Sequence, residues 1–131
     1  MNQSFAALLL AARRERQLVI ATALTDGEPS GQARQARLAQ QQGAGAAELR
    51  ADLLADPAQV SAALTAVRAA SSLPLLLTYR SATEGGKGAG HGQGYEDYLA
   101  SLLQLRPLVA AVDIEMACPA SKALVAEAKA G

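Results

Sequence analysis

The sequence predicts an α/β fold with about four parallel strands alternating with helices. Three observations predict it. Short apolar runs rich in Leu, Val and Ile alternate with segments of strong helix formers. The connections between them have the ordinary length of right-handed βαβ units. Charged residues then gather at the C-terminal ends of the apolar runs, where parallel sheets keep their sites. The clearest case is Leu75–Gly86, LLLTYRSATEGG, a buried-looking strand that ends on Arg80 and breaks at Gly85-Gly86.

Composition narrows the class. The 131 residues suffice for one domain. Half of them are hydrophobic but only 3% are aromatic, so the core must come from aliphatic side chains and many alanines. Twelve basic and twelve acidic residues cancel, and no basic cluster exceeds Arg13-Arg14-Glu15-Arg16, which removes the electrostatic case for nucleic acid. The single cysteine, Cys118, cannot form an internal disulfide, and no Cys/His grouping has metal-ligand spacing, so no metal is expected and a reduced, cytoplasmic setting follows.

In chain order, the apolar run from Phe5 resembles a signal-peptide core, but its basic residues follow it rather than precede it, and it is too short to span a bilayer. It reads as an N-terminal helix over 3–13, within a segment 1–16, and no membrane partner is expected. Leu18–Leu24 is the first strand, closed by the turn Thr25–Pro29. Residues 31–42 form a polar helix ended by Gly43 and Gly45. The second strand is Ala46–Asp52. Asp56 caps a helix that begins at Pro57 and runs to Ala70, with Val60, Leu64 and Val67 on one face. Leu75–Arg80 is the third strand and Gly85–Gly94 a glycine-rich loop. Tyr95–Leu105 is a helix that buries Tyr95, Tyr98, Leu99, Leu102 and Leu103. Leu108–Glu115 is the fourth strand, and a last helix starts after Pro119.

The period of two puts Glu48, Arg50 and Asp52 on one strand face, and Asp113 and Glu115 on one face of the fourth strand. Buried charges are costly unless they are paired or hold a ligand. Arg50, Arg80, Glu48, Glu84, Asp113 and Glu115 are therefore expected to converge on one polar pocket suited to a polyhydroxylated ligand. For Glu48 and Arg50 the alternative is a structural ion pair. His91, in the run GKGAGHGQG, reads as a solvated residue of a mobile loop. Lys122 and Lys129 read as surface charges. Around Lys87 the Walker pattern fails at Ser81 and Gly88, and Cys118 reads as a packing residue.

ELRAD at 48–52, TYRSATEGG at 78–86 and VDIE at 112–115, in this order and spacing, resemble the N-terminal half of a type I 3-dehydroquinate dehydratase. The resemblance runs from about Leu18 to the end of the chain. It implies a single incomplete (β/α)8 TIM-barrel domain over 1–131, with four β/α units in 17–131. It also implies the syn dehydration of 3-dehydroquinate to 3-dehydroshikimate in the shikimate pathway, through a lysine Schiff base and without cofactor. By this resemblance Glu48, Arg50 and Arg80 bind substrate, Thr22 falls near a position held by a small hydroxyl residue, and Glu84 orients a catalytic histidine. Asp113 and Glu115 support them. The family's histidine and lysine follow on later strands, so this chain alone is expected to be inactive. Homodimerisation or completion by another chain is expected to cover the open sheet. The alternative is a non-catalytic half-barrel used for binding or assembly.

Overall fold

The computed structural model describes residues 4–130. Its four strands are β1 (Ala21–Leu24), β2 (Ala46–Arg50), β3 (Leu75–Thr78) and β4 (Ala111–Val112). They form one sheet in the order β1-β2-β3-β4, and every pairing is parallel. Five helices surround it: α1 (Phe5–Glu15), α2 (Pro29–Gln41), α3 (Pro57–Ala70), α4 (Gln93–Leu102) and α5 (Ser121–Ala130). Sequential parallel strands with a helix between each pair are the arrangement of half a (β/α)8 barrel. None of the described helices is long and apolar enough to cross a membrane.

Helix boundaries follow local chemistry. Ser4 caps α1 by accepting from the Ala7 amide at 3.0 Å, and Arg16, at φ 54°, ends it. The expected start at residue 3 lies outside the described residues. Pro29 opens α2 rather than closing the preceding turn, because a proline at the first helical position sacrifices no hydrogen bond. Asp56 caps α3 as expected, accepting from the Gln59 amide at 2.9 Å.

The strands are shorter than the sequence suggests. Leu18 is 93% exposed and Ile20 62%, because β1 has one neighbour and its ladder with β2 starts only where the Ile20 carbonyl accepts from Gly45. β2 turns at Ala51–Leu53 into a short 3-10 segment, and β3 and β4 also stop before their charged ends. The register sets the faces. Leu24, Leu49 and Leu77 point to the helices, together with Val60, Leu64 and Val67 of α3 and Leu99 and Leu102 of α4, and all are fully buried. Ala23, Glu48 and Leu76 share the opposite, barrel-interior face, followed one step of the pleat later by Arg50 and Thr78.

α4 carries the aromatic layer. Tyr98 stacks on Tyr79 at 4.1 Å between ring centroids, and Tyr95 packs against Tyr79 at 5.6 Å. Cys118 is buried among these groups, as a small packing residue should be.

Truncating Leu64, whose side chain fills the layer between sheet and helices, should cost about 2–5 kcal/mol in urea unfolding of Leu64→Ala. Asp56→Ala, which removes only a cap, should cost about 1 kcal/mol. Equal costs for the two would show that the helix–sheet layer is not the principal source of stability.

Candidate functional site

Two buried carboxylates build the site. The first belongs to Asp52, on the 3-10 turn that ends β2. Its oxygens take a two-pronged contact from Arg50, through Nε and Nη2 at 2.8 Å each. They also accept the backbone amides of Arg80 at 3.2 Å and Lys87 at 3.0 Å. One carboxylate thereby ties the ends of β2 and β3 to the glycine-rich loop. Burial pushes Asp52 up, but the hydrogen bonds from Arg50, Lys87 and Arg80 outweigh it and leave the acid below its ordinary value.

The second belongs to Glu115, just past β4, with a side chain only 1% exposed. Its Oε2 accepts from Arg80 Nη1 and from the Ser81 amide, both at 3.0 Å. Its Oε1 accepts a short hydrogen bond from the Ser81 hydroxyl and lies 2.8 Å from His91 Nε2. Burial pushes this carboxyl up, yet the Ser81 hydroxyl and amide, with His91 and Glu84, hold it down at about 2. Its charge is therefore permanent at neutral pH.

Arg80 lies at the centre. Besides Glu115 it reaches Asp113 Oδ2 through Nη2 at 3.2 Å and lies 3.7 Å from Glu84 Oε1. Burial raises Asp113, and Glu115 and Glu48 push it further against the pull of Arg80. Burial and the neighbouring Glu115 likewise raise Glu84. Glu48 stands in the next pleat, where its Oε2 accepts from Thr78 Oγ1 at 2.8 Å. The polar groups gather at the strand ends, where carboxylates can accept hydrogen bonds and guanidinium forks can donate them.

Glu48, Arg50, Arg80, Glu84, Asp113 and Glu115 are thus brought to one end of the sheet. Thr22 is not among them. Its register partner is Ala47, so it shares the helix-side face with Leu24, and it lines an open groove with Gln35 and Leu38 of α2.

Three contributions escaped sequence reasoning. Asp52 was placed on the correct face, but its role as a clamp depends on the turn that carries it inward. Ser81 gave no signal beyond its place after Arg80. His91 is the correction. Expected in solvent on a mobile loop, it is 13% exposed in its side chain and lies 2.8 Å from Glu115 and 3.6 Å from Glu84. The loop folds back because Gly88 donates to the Arg80 carbonyl, Ala89 to the Tyr79 hydroxyl and His91 to Thr83 Oγ1. At Gly86 a Cβ would stand 2.2 Å from the Arg80 carbonyl oxygen, so the loop approaches β3 more closely than any side chain permits. The three lysines, Lys87, Lys122 and Lys129, are exposed.

Because the folded value of Glu115 lies below that of an unfolded chain, its contribution to stability is complete above about pH 4.5. It is lost as the pH falls towards about 2. Urea midpoints measured from pH 6 to pH 2 should therefore fall. Protonation of the raised Asp113 and Glu84 offsets only the first part of that fall. In Glu115→Gln the midpoint should start lower and change less, and an unchanged slope would exclude Glu115 as the titrating group.

Comparison with known proteins relates the chain to one family. The family model for type I 3-dehydroquinase matches residues 20–131. The 3-dehydroquinate dehydratase of Methanoregula boonei is 43% identical over 110 residues, covering 83% of this chain and 47% of that protein. That of Methanosarcina barkeri is 38% identical over 82 residues, covering 61% of this chain and 34% of that protein. Among solved structures, the type I 3-dehydroquinate dehydratase of Clostridium difficile, determined with covalently modified comenic acid, superposes with a TM-score of 0.72 at 20% identity. It covers 84% of this chain and 44% of its own. The 3-dehydroquinate dehydratase of Geobacillus kaustophilus gives 0.72 at 22% identity, covering 86% and 46%. The chain spans less than half the length of each of these proteins. A family match over this extent, on a half-barrel whose polar residues meet at one end of the sheet, means that the chain belongs to the type I 3-dehydroquinase family.

Proposed function

We propose that this chain supplies the substrate-holding half of a type I 3-dehydroquinate dehydratase, acting in the cytoplasm on 3-dehydroquinate in the shikimate pathway. The observation that carries the reading is the Arg80 cluster. A guanidinium held between Glu115, Asp113 and Glu84 at the end of β3, with Glu48 and Arg50 one strand away, lies within the family match and on the motifs that carry the resemblance. Glu48, Arg50 and Arg80 contact the substrate hydroxyls, and holding the ring in one orientation is most of their contribution. Glu84 positions a histidine, fixing its tautomer and raising its basicity. The reaction is a syn elimination through a Schiff base, in which an iminium serves as the electron sink and a histidine moves the proton.

In this reading the lysine and the histidine come from later strands of the barrel, supplied by further sequence or by a second chain. The exposed positions of Lys87, Lys122 and Lys129 support it, since a Schiff-base lysine works from within an enclosed, desolvated pocket. Charge supports the orientation. Glu48, Asp52, Glu84, Asp113 and Glu115 outnumber Arg50 and Arg80, so this half receives hydroxyls and leaves the substrate carboxylate to cationic groups elsewhere.

Thr22 is assigned no contact on the face it occupies. The unpaired edges of β1 and β4 favour association with another copy or with a completing chain.

Two measurements test the reading. Titration of the chain with 3-dehydroquinate, followed by NMR, should shift the Arg50 and Arg80 guanidinium signals, and Arg80→Lys should weaken binding at least about tenfold through loss of the fork. Borohydride treatment of the same mixture should leave every lysine unmodified. A reduced adduct on Lys87, Lys122 or Lys129 would show that this half carries its own nucleophile.

A further inference from the structure

Glu84, His91 and Glu115 present a donor set that substrate holding does not use. One imidazole nitrogen and two carboxylates lie with their ligating atoms all within 4.8 Å of one another. We propose that these three residues form a binding site for a divalent transition-metal ion of the zinc class, ligated by Glu84 Oε2, His91 Nε2 and Glu115 Oε1.

Distance is the first argument. Bonds of about 2.0–2.2 Å at near-tetrahedral angles hold ligand atoms about 3.3–3.5 Å apart. His91 Nε2 is 3.6 Å from Glu84 Oε2, which already fits, and 2.8 Å from Glu115 Oε1, which must open by about half an ångström. The ion takes the place of the hydrogen that now bridges His91 and Glu115. Glu84, the exposed member on a short 3-10 turn, is free to close its side of the triangle.

Charge is the second. Glu84, Asp113 and Glu115 surround Arg80, and no other cation among the described side chains forms an ion pair with them apart from His91 when it is protonated. The group therefore carries an excess of negative charge that a divalent ion removes. Arg80 does not stand in the way, because it binds Oε2 of Glu115 and leaves Oε1 to His91 and Ser81.

The third observation is independent of the acids. Tyr95 is fully buried and its ring packs on His91 at 5.4 Å. Its hydroxyl lies against the Glu115 backbone without completing a hydrogen bond there. An unspent donor at this depth is unusual. His91 itself is pinned through its amide to Thr83, on the same turn as Glu84, so two of the three ligands arrive on one small loop.

Occupancy would fasten the glycine-rich loop to the ends of β3 and β4 and engage Glu84. Resting on the proposed dehydratase function, the ion would be an inhibitor, because it occupies the acid that positions the histidine. Binding itself does not depend on that function.

Calorimetric titration of the tag-free, metal-stripped chain with Zn2+ tests the site, with Co2+ absorbance as a second readout. One equivalent should bind in the micromolar range, with intense visible Co2+ bands of a four-coordinate site. Both His91→Gln and Glu84→Gln should lose at least about tenfold in affinity. Unchanged urea midpoints would show that the variants still fold, and Lys122→Ala should behave as the parent chain. Absence of saturable binding overturns the proposal, as does equal binding by His91→Gln. Two variants on separate ligands keep the test decisive where one fails to fold. Zinc binding that persists where 3-dehydroquinate fails to bind sinks the substrate reading alone, and the reverse result sinks this one.

Discussion

The buried Glu115 carboxylate is the interaction on which the rest of the site depends. A carboxylate without solvent costs several kcal/mol unless donors replace its water. Here the replacements are the Ser81 amide and hydroxyl, the Arg80 guanidinium and the His91 imidazole. Every one of them comes from the segment after β3, so the cost of burying one charge is met only when that segment takes a single conformation. Asp52 repeats the device between β2 and β3. The two acids thereby do for the strand ends what the leucines do for the strand middles. Apolar packing is tolerant of small rearrangements, whereas a desolvated carboxylate is not, which is why the acids and not the core fix the position of Arg80.

The glycines are part of the same constraint. For Lys87 to offer its amide to Asp52 while Gly88 bonds the Arg80 carbonyl, the loop must pass within side-chain distance of the β3 backbone. Gly86 and Gly88 give that clearance, and Gly85, at φ 88°, gives the reversal before it. Reading a glycine-rich run as mobile confuses permissiveness with disorder. The residues that allow many conformations in isolation here allow the one tight approach that the carboxylates demand.

Much of this was legible in the sequence. Alternation of apolar runs and helix formers gave the parallel sheet, Asp56-Pro57 the start of α3, and the pleat the shared face of Glu48 and Arg50. Strand ends were overextended for a definite reason: Val19 and Ile20 have strand-favouring side chains and Asp113–Glu115 continue the period-two alternation, but a strand needs a neighbour, and pairing is a tertiary property. Thr22 was misplaced relative to the cluster because a one-residue change of register moves a side chain through the sheet. His91 was beyond reach altogether, since nothing in GKGAGHGQG marks which of its residues will meet an acid lying 24 positions later.

The balance of charge also explains how labour can be divided across such a barrel. Each acid that positions Arg80 adds to a negative field at the mouth of the sheet, and that field falls off slowly where protein replaces water. Under the proposed function, an anionic ligand would enter only in the orientation that keeps its carboxylate away from Glu84, Asp113 and Glu115. The same field favours a cation beside Glu115 and opposes any second anion. Under the proposed function, holding hydroxyls with arginines anchored by excess acid would commit this half to the neutral and cationic partners of the chemistry. The groups that bind the substrate carboxylate would then stand on the opposite side of the ring, where the acids of β2, β3 and β4 do not reach.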